Sequence, residues 1–216
     1  EVQDESSQLA ALLAAPKPGE QVLDLCAGGG GKTLALASLM ANSGQIYATD
    51  SDGRRLMPIY ERLERSGARN AQGRAPRGKA DVLADLRAAL FARCVEGRCD
   101  LVLVDAPCTG VGTWRRNPDA KWRIRPGALE QRVKDQEAVL ERAVKYVKPG
   151  GRLVYVTCSL LSEENEDRVA AFLQANTGFS GVDMQDAARA VGVEALVDRA
   201  DFGAHGMTLR PSKIGA

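Results

Sequence analysis

The chain has one histidine, few aromatic residues, no Cys-x-x-Cys pair and no apolar run near the roughly 20 residues a membrane span requires. The lone His205 and the unpaired cysteine spacing remove the usual ligand sets of structural zinc, so no metal is expected. Cys26, Cys94, Cys99, Cys108 and Cys158 make an odd total, which argues against a disulfide framework and leaves the thiols available for chemistry. An excess of one charge is also missing. The 29 Lys and Arg against 28 Asp and Glu leave a net charge of +1, so bulk charge does not announce a nucleic-acid partner. Internal repeats and low-complexity tracts are lacking too. No signal peptide precedes the first helical pattern, and a cytoplasmic monomer without membrane contact is expected.

What is present fits an α/β protein. The 216 residues, 44% of them apolar, suffice for one domain with its own core. Short apolar runs alternate with amphipathic stretches, the pattern of βα units around a mostly parallel sheet with helices on both faces. A helix is expected at residues 6–14 through Leu9, Leu12 and Leu13. Strands are expected at 21–26 (QVLDLC), 45–50 (QIYATD), 70–74, 99–105 (CDLVLVD) and 152–157. Between them, helices are expected through Leu34, Leu36, Leu39 and Met40, near 54–65 and at 82–93. Further on, a loop at 106–126 precedes a helix with Leu129, Val133, Leu140, Val144 and Val147 on one face. Pro149-Gly150-Gly151 reads as a turn, 163–173 as a helix, and the pattern weakens after Thr177. The first residue, Glu, and the small-residue finish lead us to expect a piece of a longer chain.

The segment VLDLCAGGGGKT sets a glycine run between a strand and a helix. Glycine permits φ > 0 and close backbone approach, and the helix N-terminus offers unpaired N–H groups, so a nucleotide-type ligand is implied. A P-loop would need glycine at position 26 ahead of Gly31-Lys32-Thr33, and Cys26 stands there. Asp50, ending the second strand, is placed either to accept ribose hydroxyls or to cap the next helix.

Asp105-Ala106-Pro107-Cys108 leaves one expected strand and Thr157-Cys158-Ser159 leaves the next. Ligands of open α/β sheets sit beyond the carboxyl ends of strands, so neighbouring strands would set both thiols over one crevice. Alternatively, both are small buried apolar residues. Between them lie Trp114, Arg115, Arg116, Lys121, Trp122 and Arg123. They form either an RNA grip by stacking and phosphate contact, or a solvated basic face with a tryptophan packed beneath.

These motifs resemble the Nop/Sun class of RNA (cytosine-5) methyltransferases over nearly the whole chain. Residues 2–9 (VQDESSQL) resemble its lead-in segment, and residues 25–33 its cofactor loop, which usually has Ala-Pro where Gly28-Gly29 stand here. Residues 104–112 (VDAPCTGVG) and 155–166 (YVTCSLLSEENE) resemble its two cysteine motifs.

The resemblance implies a Rossmann-like fold dependent on S-adenosylmethionine, in one catalytic domain over residues 1–216 with 1–20 as lead-in. It implies Cys158 as nucleophile, Cys108 as the aid to product release, Asp105 on the cytosine ring and Lys32 holding the site together. The cofactor would lie along Cys26, Ala27, Gly28, Gly29, Gly30, Gly31 and Lys32, with Asp50 on the ribose and Arg55 joining it. Asp81 or Asp85 would face the adenosine. The implied substrate is rRNA first and tRNA second. An upstream RNA-binding domain and a final Gly-Phe-Phe strand, usual in the class, are expected to be missing. Two other readings stand beside this one: a P-loop-like nucleoside-triphosphate binder and an inactive RNA-binding module of the same fold.

Overall fold

The structure, a computed structural model, describes residues 2–74, 91–196 and 198–210. The described residues fall into two compact units, one drawn from 2–105 and 141–156, the other from 106–140 and 157–210.

The first unit holds a five-stranded parallel sheet in the order β3-β2-β1-β4-β5, with helices on both sides. Its strands are β1 (Gln21–Asp24), β2 (Gln45–Thr49), β3 (Ala71–Arg74), β4 (Cys99–Asp105) and β5 (Val147–Val156). The expected neighbourhood of the fourth and fifth strands is present, with Leu103 opposite Val154 and Asp105 opposite Val156. Residues 101–104 of β4 are fully buried, because sheet neighbours flank the strand and both its faces are covered.

One face of the sheet presents Val22, Ile46, Ala48, Leu101 and Leu103 to Leu36, Ala37 and Met40 of the helix Gly31–Leu39 and its C-cap. Leu56 and Ile59, which follow β2, pack there as well. Strand alternation turns Leu23 and Tyr47 the other way, where the Tyr47 ring meets Phe91 edge-on at 5.5 Å.

Several expectations change in detail. The buried stripe after the glycine turn is Thr33, Leu36, Ala37 and Met40, an i, i+3, i+4, i+7 set, while Leu39 is exposed. In the first helix, Glu5–Leu13, the fully buried positions are Ala11 and the capping Ala14, and the leucines are half-buried. The helix expected near 54–65 is two helices, Gly53–Leu56 and Pro58–Ser66. Pro58 has no N–H to continue the first and suits the opening position of the second. Pro149-Gly150-Gly151 lies within β5 rather than in a separate turn. The register jumps from Cys99 opposite Val147 to Leu101 opposite Arg152, and residues 148–151 bulge out with Gly150 at φ 73°. The helix expected at 82–93 lies mostly outside the described residues; residues 91–95 are helical.

The second unit carries a 3-10 turn (Val111–Thr113) and the short helix Ala120–Arg123, where a plain loop was expected. It also holds most of the helix Ala128–Val144, the helices Glu166–Ala175 and Met184–Ala190, and an antiparallel hairpin of β6 (Ala200–Gly203) and β7 (Gly206–Leu209). Gln136, Val139, Leu140 and Ala143 are the buried stripe of the long helix, whereas Leu129 and Val133 are only half-buried. His205 is exposed at the hairpin turn. Among the described residues, no helix is long and apolar enough to cross a membrane.

Asp24, at the end of β1, is fully buried and accepts a 2.7 Å hydrogen bond from Thr33 Oγ1. Burial raises its carboxyl from 3.8 to about 7. Between those values the native state keeps a proton that the unfolded chain has lost, so this group's contribution to stability falls as pH rises from about 4 to 7. Asp24→Asn removes the ionisation. Its stability relative to the parent, measured by urea denaturation, should therefore improve from pH 5 to pH 8 by roughly 2–3 kcal/mol. A difference that does not change with pH contradicts the assignment.

Candidate active site

Beyond the carboxyl end of β1, six residues lead from Asp24 into the helix that starts at Gly31. Gly28 and Gly30 take φ values of 51° and 81°, which L side chains rarely adopt. A Cβ on Gly30 would also come within 2.4 Å of Ile59 Cγ1, so the turn lies directly on the core. Four contacts hold the turn. Ala27 N donates to Thr49 O at 2.8 Å, Gly30 N to Ala27 O at 2.9 Å, Gly28 N to Asp50 Oδ2 at 3.0 Å, and Arg62 Nη1 to Gly29 O at 2.6 Å. Cys26 is half-buried, and burial pushes its thiol up to about 12, so it packs as a neutral thiol.

The two alternatives for Asp50 are decided in part. The helix cap is Asp52, whose side chain accepts from Arg54 N; Asp50 does not cap. Asp50 instead ties the turn, its two oxygens accepting from Gly28 N and from Asp52 N at 2.9 Å, with Arg55 Nη1 at 3.9 Å. Asp81 and Asp85 lie outside the described residues.

The second residue of the helix, Lys32, is bound to the last residue of β4. Its Nζ lies 2.7 Å from Asp105 Oδ2 and 3.2 Å from Ser7 Oγ, and its side chain is 11% exposed. The glycine turn, the lead-in helix and the end of β4 thus meet at one ammonium group, all within the first unit.

In the second unit, Cys108 Sγ and Cys158 Sγ stand 3.1 Å apart. Cys158 N donates to Cys108 Sγ at 3.4 Å. Cys158 is exposed and Cys108 half-buried, so neither is the deeply buried small apolar residue of the alternative reading. The Cys108 thiol is pushed far up, first by its hydrogen bond with Cys158 and then by burial; the pair favours one proton on Cys108 shared with the other sulfur.

The framework behind the thiols was not anticipated from the sequence. Glu164 is fully buried. Its Oε1 accepts from Thr109 N at 2.8 Å and Gln136 Nε2 at 3.0 Å, and its Oε2 from the Thr109 hydroxyl. Gln136 Nε2 also donates to Pro107 O at 3.0 Å. On the Cys158 side, Thr157 Oγ1 donates to Asn165 Oδ1 at 2.6 Å. Asn165 Nδ2 donates to Ser159 O at 3.1 Å, and Gly112 N donates to Cys158 O at 3.0 Å. A Cβ on Gly112 would lie 2.8 Å from that carbonyl oxygen, so the two cysteine segments touch through backbone.

The basic loop is exposed as expected. Trp122 is 80% exposed with Lys121 Nζ 4.9 Å from its ring centroid, and Trp114 is at the surface rather than packed beneath the loop. Arg115, Arg116 and Arg123 are exposed too. Arg116, Asn117, Pro118, Asp119, Ala120 and Arg123 surround an open hollow of about 330 Å³.

A parallel sheet ordered 3-2-1-4-5, with a glycine turn after its first strand and an acid ending its second, defines the Rossmann-like class of nucleotide-binding folds. Within that class, the family described as "16S rRNA methyltransferase RsmB/F" matches residues 11–200, and the chain belongs to this family. It is 39% identical over 177 residues to ribosomal RNA small subunit methyltransferase B of Salmonella newport (strain SL254), a match covering 80% of this chain and 38% of that protein. The chain therefore spans well under half the length of that curated relative. The solved structure of NSun6 from Pyrococcus horikoshii with SFG is 31% identical at TM-score 0.65, covering 81% of this chain and 42% of that one. A methyltransferase homolog protein from Pyrococcus horikoshii is 35% identical at TM-score 0.59, covering 81% of this chain and 51% of that one. The resemblance to the Nop/Sun class is borne out, and family membership displaces the P-loop reading.

Glu164→Ala leaves the Thr109 N–H without its acceptor and takes one of the two acceptors of Gln136 Nε2. It should lower stability by about 1–3 kcal/mol in urea unfolding. Glu164→Gln keeps an oxygen for those two donors and should lose under half as much. Equal losses in the two variants would show that the hydrogen-bond clamp is not what Glu164 supplies.

Proposed function

We propose that this chain is the catalytic domain of an S-adenosylmethionine-dependent RNA (cytosine-5) methyltransferase whose substrate is rRNA. The observation that carries the reading is the pair of thiols 3.1 Å apart on the two segments that follow β4 and β5. A reaction that adds one thiol to a ring and later removes it needs a base to take the carbon-5 proton, and a second thiol beside the first suits that task. Family membership favours rRNA over tRNA. A monomer acting in the cytoplasm fits the same reading.

The residues of the first unit fit the cofactor. The turn shaped by positive φ at Gly28 and Gly30 suits close approach by an adenosyl group. Asp50, whose carboxylate retains acceptor capacity beyond its two backbone bonds, suits a ribose diol, and Arg55 stands beside it. When bound, S-adenosylmethionine supplies an electrophilic methyl group. The relative solved with SFG, an analogue of this cofactor, supports the choice.

The rest is the work of this chain's own residues. Carbon 5 of cytosine is a weak nucleophile until a sulfur adds to carbon 6 and breaks the aromaticity. Cys158, the more exposed thiol, makes that bond, while the proton held between the sulfurs stays on Cys108. Lys32 donates to Asp105 and Ser7, which leaves its third N–H for the ring, where negative charge develops. Asp105 orients that ammonium and the cytosine edge. Once carbon 5 carries the methyl group its proton must leave, and Cys108 promotes that loss so that the carbon–sulfur bond can break. The target base must leave its stack, which RNA loops allow at modest cost. Trp114 and Trp122, with Arg115, Arg116, Lys121 and Arg123, supply stacking faces and phosphate contacts.

Two variants test the roles. Cys158→Ala should abolish both methyl transfer and the denaturation-resistant protein–RNA adduct. Cys108→Ala should form the adduct and accumulate it, with turnover down on the order of 100-fold or more. The reverse pattern exchanges the two thiols. RNA binding without any transfer or adduct in the parent would favour the inactive binding module.

A further inference from the structure

The geometry of the two thiols points to a second chemistry: we propose that Cys108 and Cys158 are a modification site that closes reversibly to an intramolecular disulfide on reaction with a hydroperoxide. The sulfurs are 3.1 Å apart, and a disulfide needs about 2.05 Å, so the gap to close is about 1 Å. That motion is asked of two chain segments leaving the paired ends of β4 and β5, not of residues inside helices or strands. Cys108 lies three residues past Asp105 and Cys158 two residues past Val156, and Asp105 and Val156 are register partners. The proximity of the two cysteine-bearing segments therefore follows from the topology.

Access and order of reaction follow from burial. Cys158 is exposed and meets the oxidant; Cys108 is half-buried behind it. The Cys158 thiolate attacks the peroxide and its O–O bond breaks, giving a sulfenic acid at Cys158 and, after proton uptake, one molecule of water or alcohol. The Cys108 sulfur then attacks the sulfenic sulfur. The S–O bond breaks, hydroxide leaves, and the Cys108 proton converts it to water. Two thiols lose two electrons in total and the peroxide gains them. The main cause that holds the Cys108 proton is its hydrogen bond with Cys158, and conversion of Cys158 to a neutral sulfenic acid weakens that hold just when Cys108 must act.

The other cysteines lack this arrangement. Cys26 and Cys99 are held protonated by burial, at about 12 and about 11, and Cys99 Sγ points to Val95 O. The pair also protects the nucleophile, because a disulfide stops the oxidation ladder short of irreversible sulfinic acid. This inference rests on the thiol geometry and holds whichever RNA is the substrate.

The test treats the reduced protein with one to a few equivalents of hydrogen peroxide and reads intact mass and non-reducing peptide maps. The expected product is about 2 Da lighter, with the Cys108 and Cys158 peptides joined and separated again by dithiothreitol. In Cys108→Ser, the same treatment should instead leave a sulfenic acid at Cys158 that dimedone traps, or its sulfinic product. Cys158 oxidised to sulfinic acid in the parent without linkage, linkage to Cys94 instead, or no reaction of either thiol would overturn the proposal. Methyl transfer is measured separately on the reduced protein, so a failure of the disulfide leaves the methyltransferase reading untouched, and the converse.

Discussion

The bond from Lys32 Nζ to Asp105 Oδ2 is the constraint from which the site is built. Lys32 is fixed by the helix that follows the glycine turn, and Asp105 by the last register position of β4. The ammonium is nearly buried, so salt screens the pair far less than it would a surface ion pair. Removing either partner would leave the other charge poorly compensated. Through this one contact the cofactor-type turn and the strand that leads to Cys108 share a fixed geometry. Ser7 adds a third element, which gives the lead-in helix a reason to be where it is.

In each unit, other polar groups position rather than react. Asp50 and Arg62 hold the glycine turn from its two sides, and Asp24 with Thr33 ties the strand beneath it to the helix above. In the second unit, Glu164 and Asn165 do the same for the two cysteine segments. Asp50, Asp24 and Glu164 are buried and each accepts at least one hydrogen bond, as burial of a carboxyl demands. The reactive atoms themselves, at Cys158, remain exposed. A rigid support beneath accessible sulfurs suits a nucleophile that must meet a base brought in from solution.

Much of this was legible in the sequence because the signals were of the right length. Apolar runs such as CDLVLVD can only be buried strands, and a glycine run between strand and helix has few uses. The two cysteines were readable because each sits just past a strand. Element boundaries were less readable. The helix through Arg54 to Arg65 splits at Pro58, and the turn at Pro149-Gly150-Gly151 is a bulge within β5, because the sheet register continues on both sides of it. In the first helix the expected leucines are half-buried and Ala11 and Ala14 are fully buried; in the second, Leu36 and Met40 are buried as expected, Thr33 and Ala37 join them, and Leu39 is exposed. Ser7 and Glu164 fall inside the quoted motifs, but nothing local showed what they would bind, and Arg62 had no signal. Their partners lie 25, 33 and 55 residues away in sequence, and nothing short of the fold brings them together.

The account's central claim is that Cys158 bonds covalently to carbon 6 of a cytosine while Cys108 serves its release. RNA carrying 5-fluorocytosine at the target position interrupts the reaction after methyl transfer, because the group on carbon 5 cannot leave as a proton. Digestion of the trapped complex and mass mapping of the protein residue attached to the base test the claim most directly. The account predicts a nucleotide on Cys158, formed only when S-adenosylmethionine is present or strongly enhanced by it. Attachment at Cys108, or complete methylation with no covalent species at either sulfur, would contradict it.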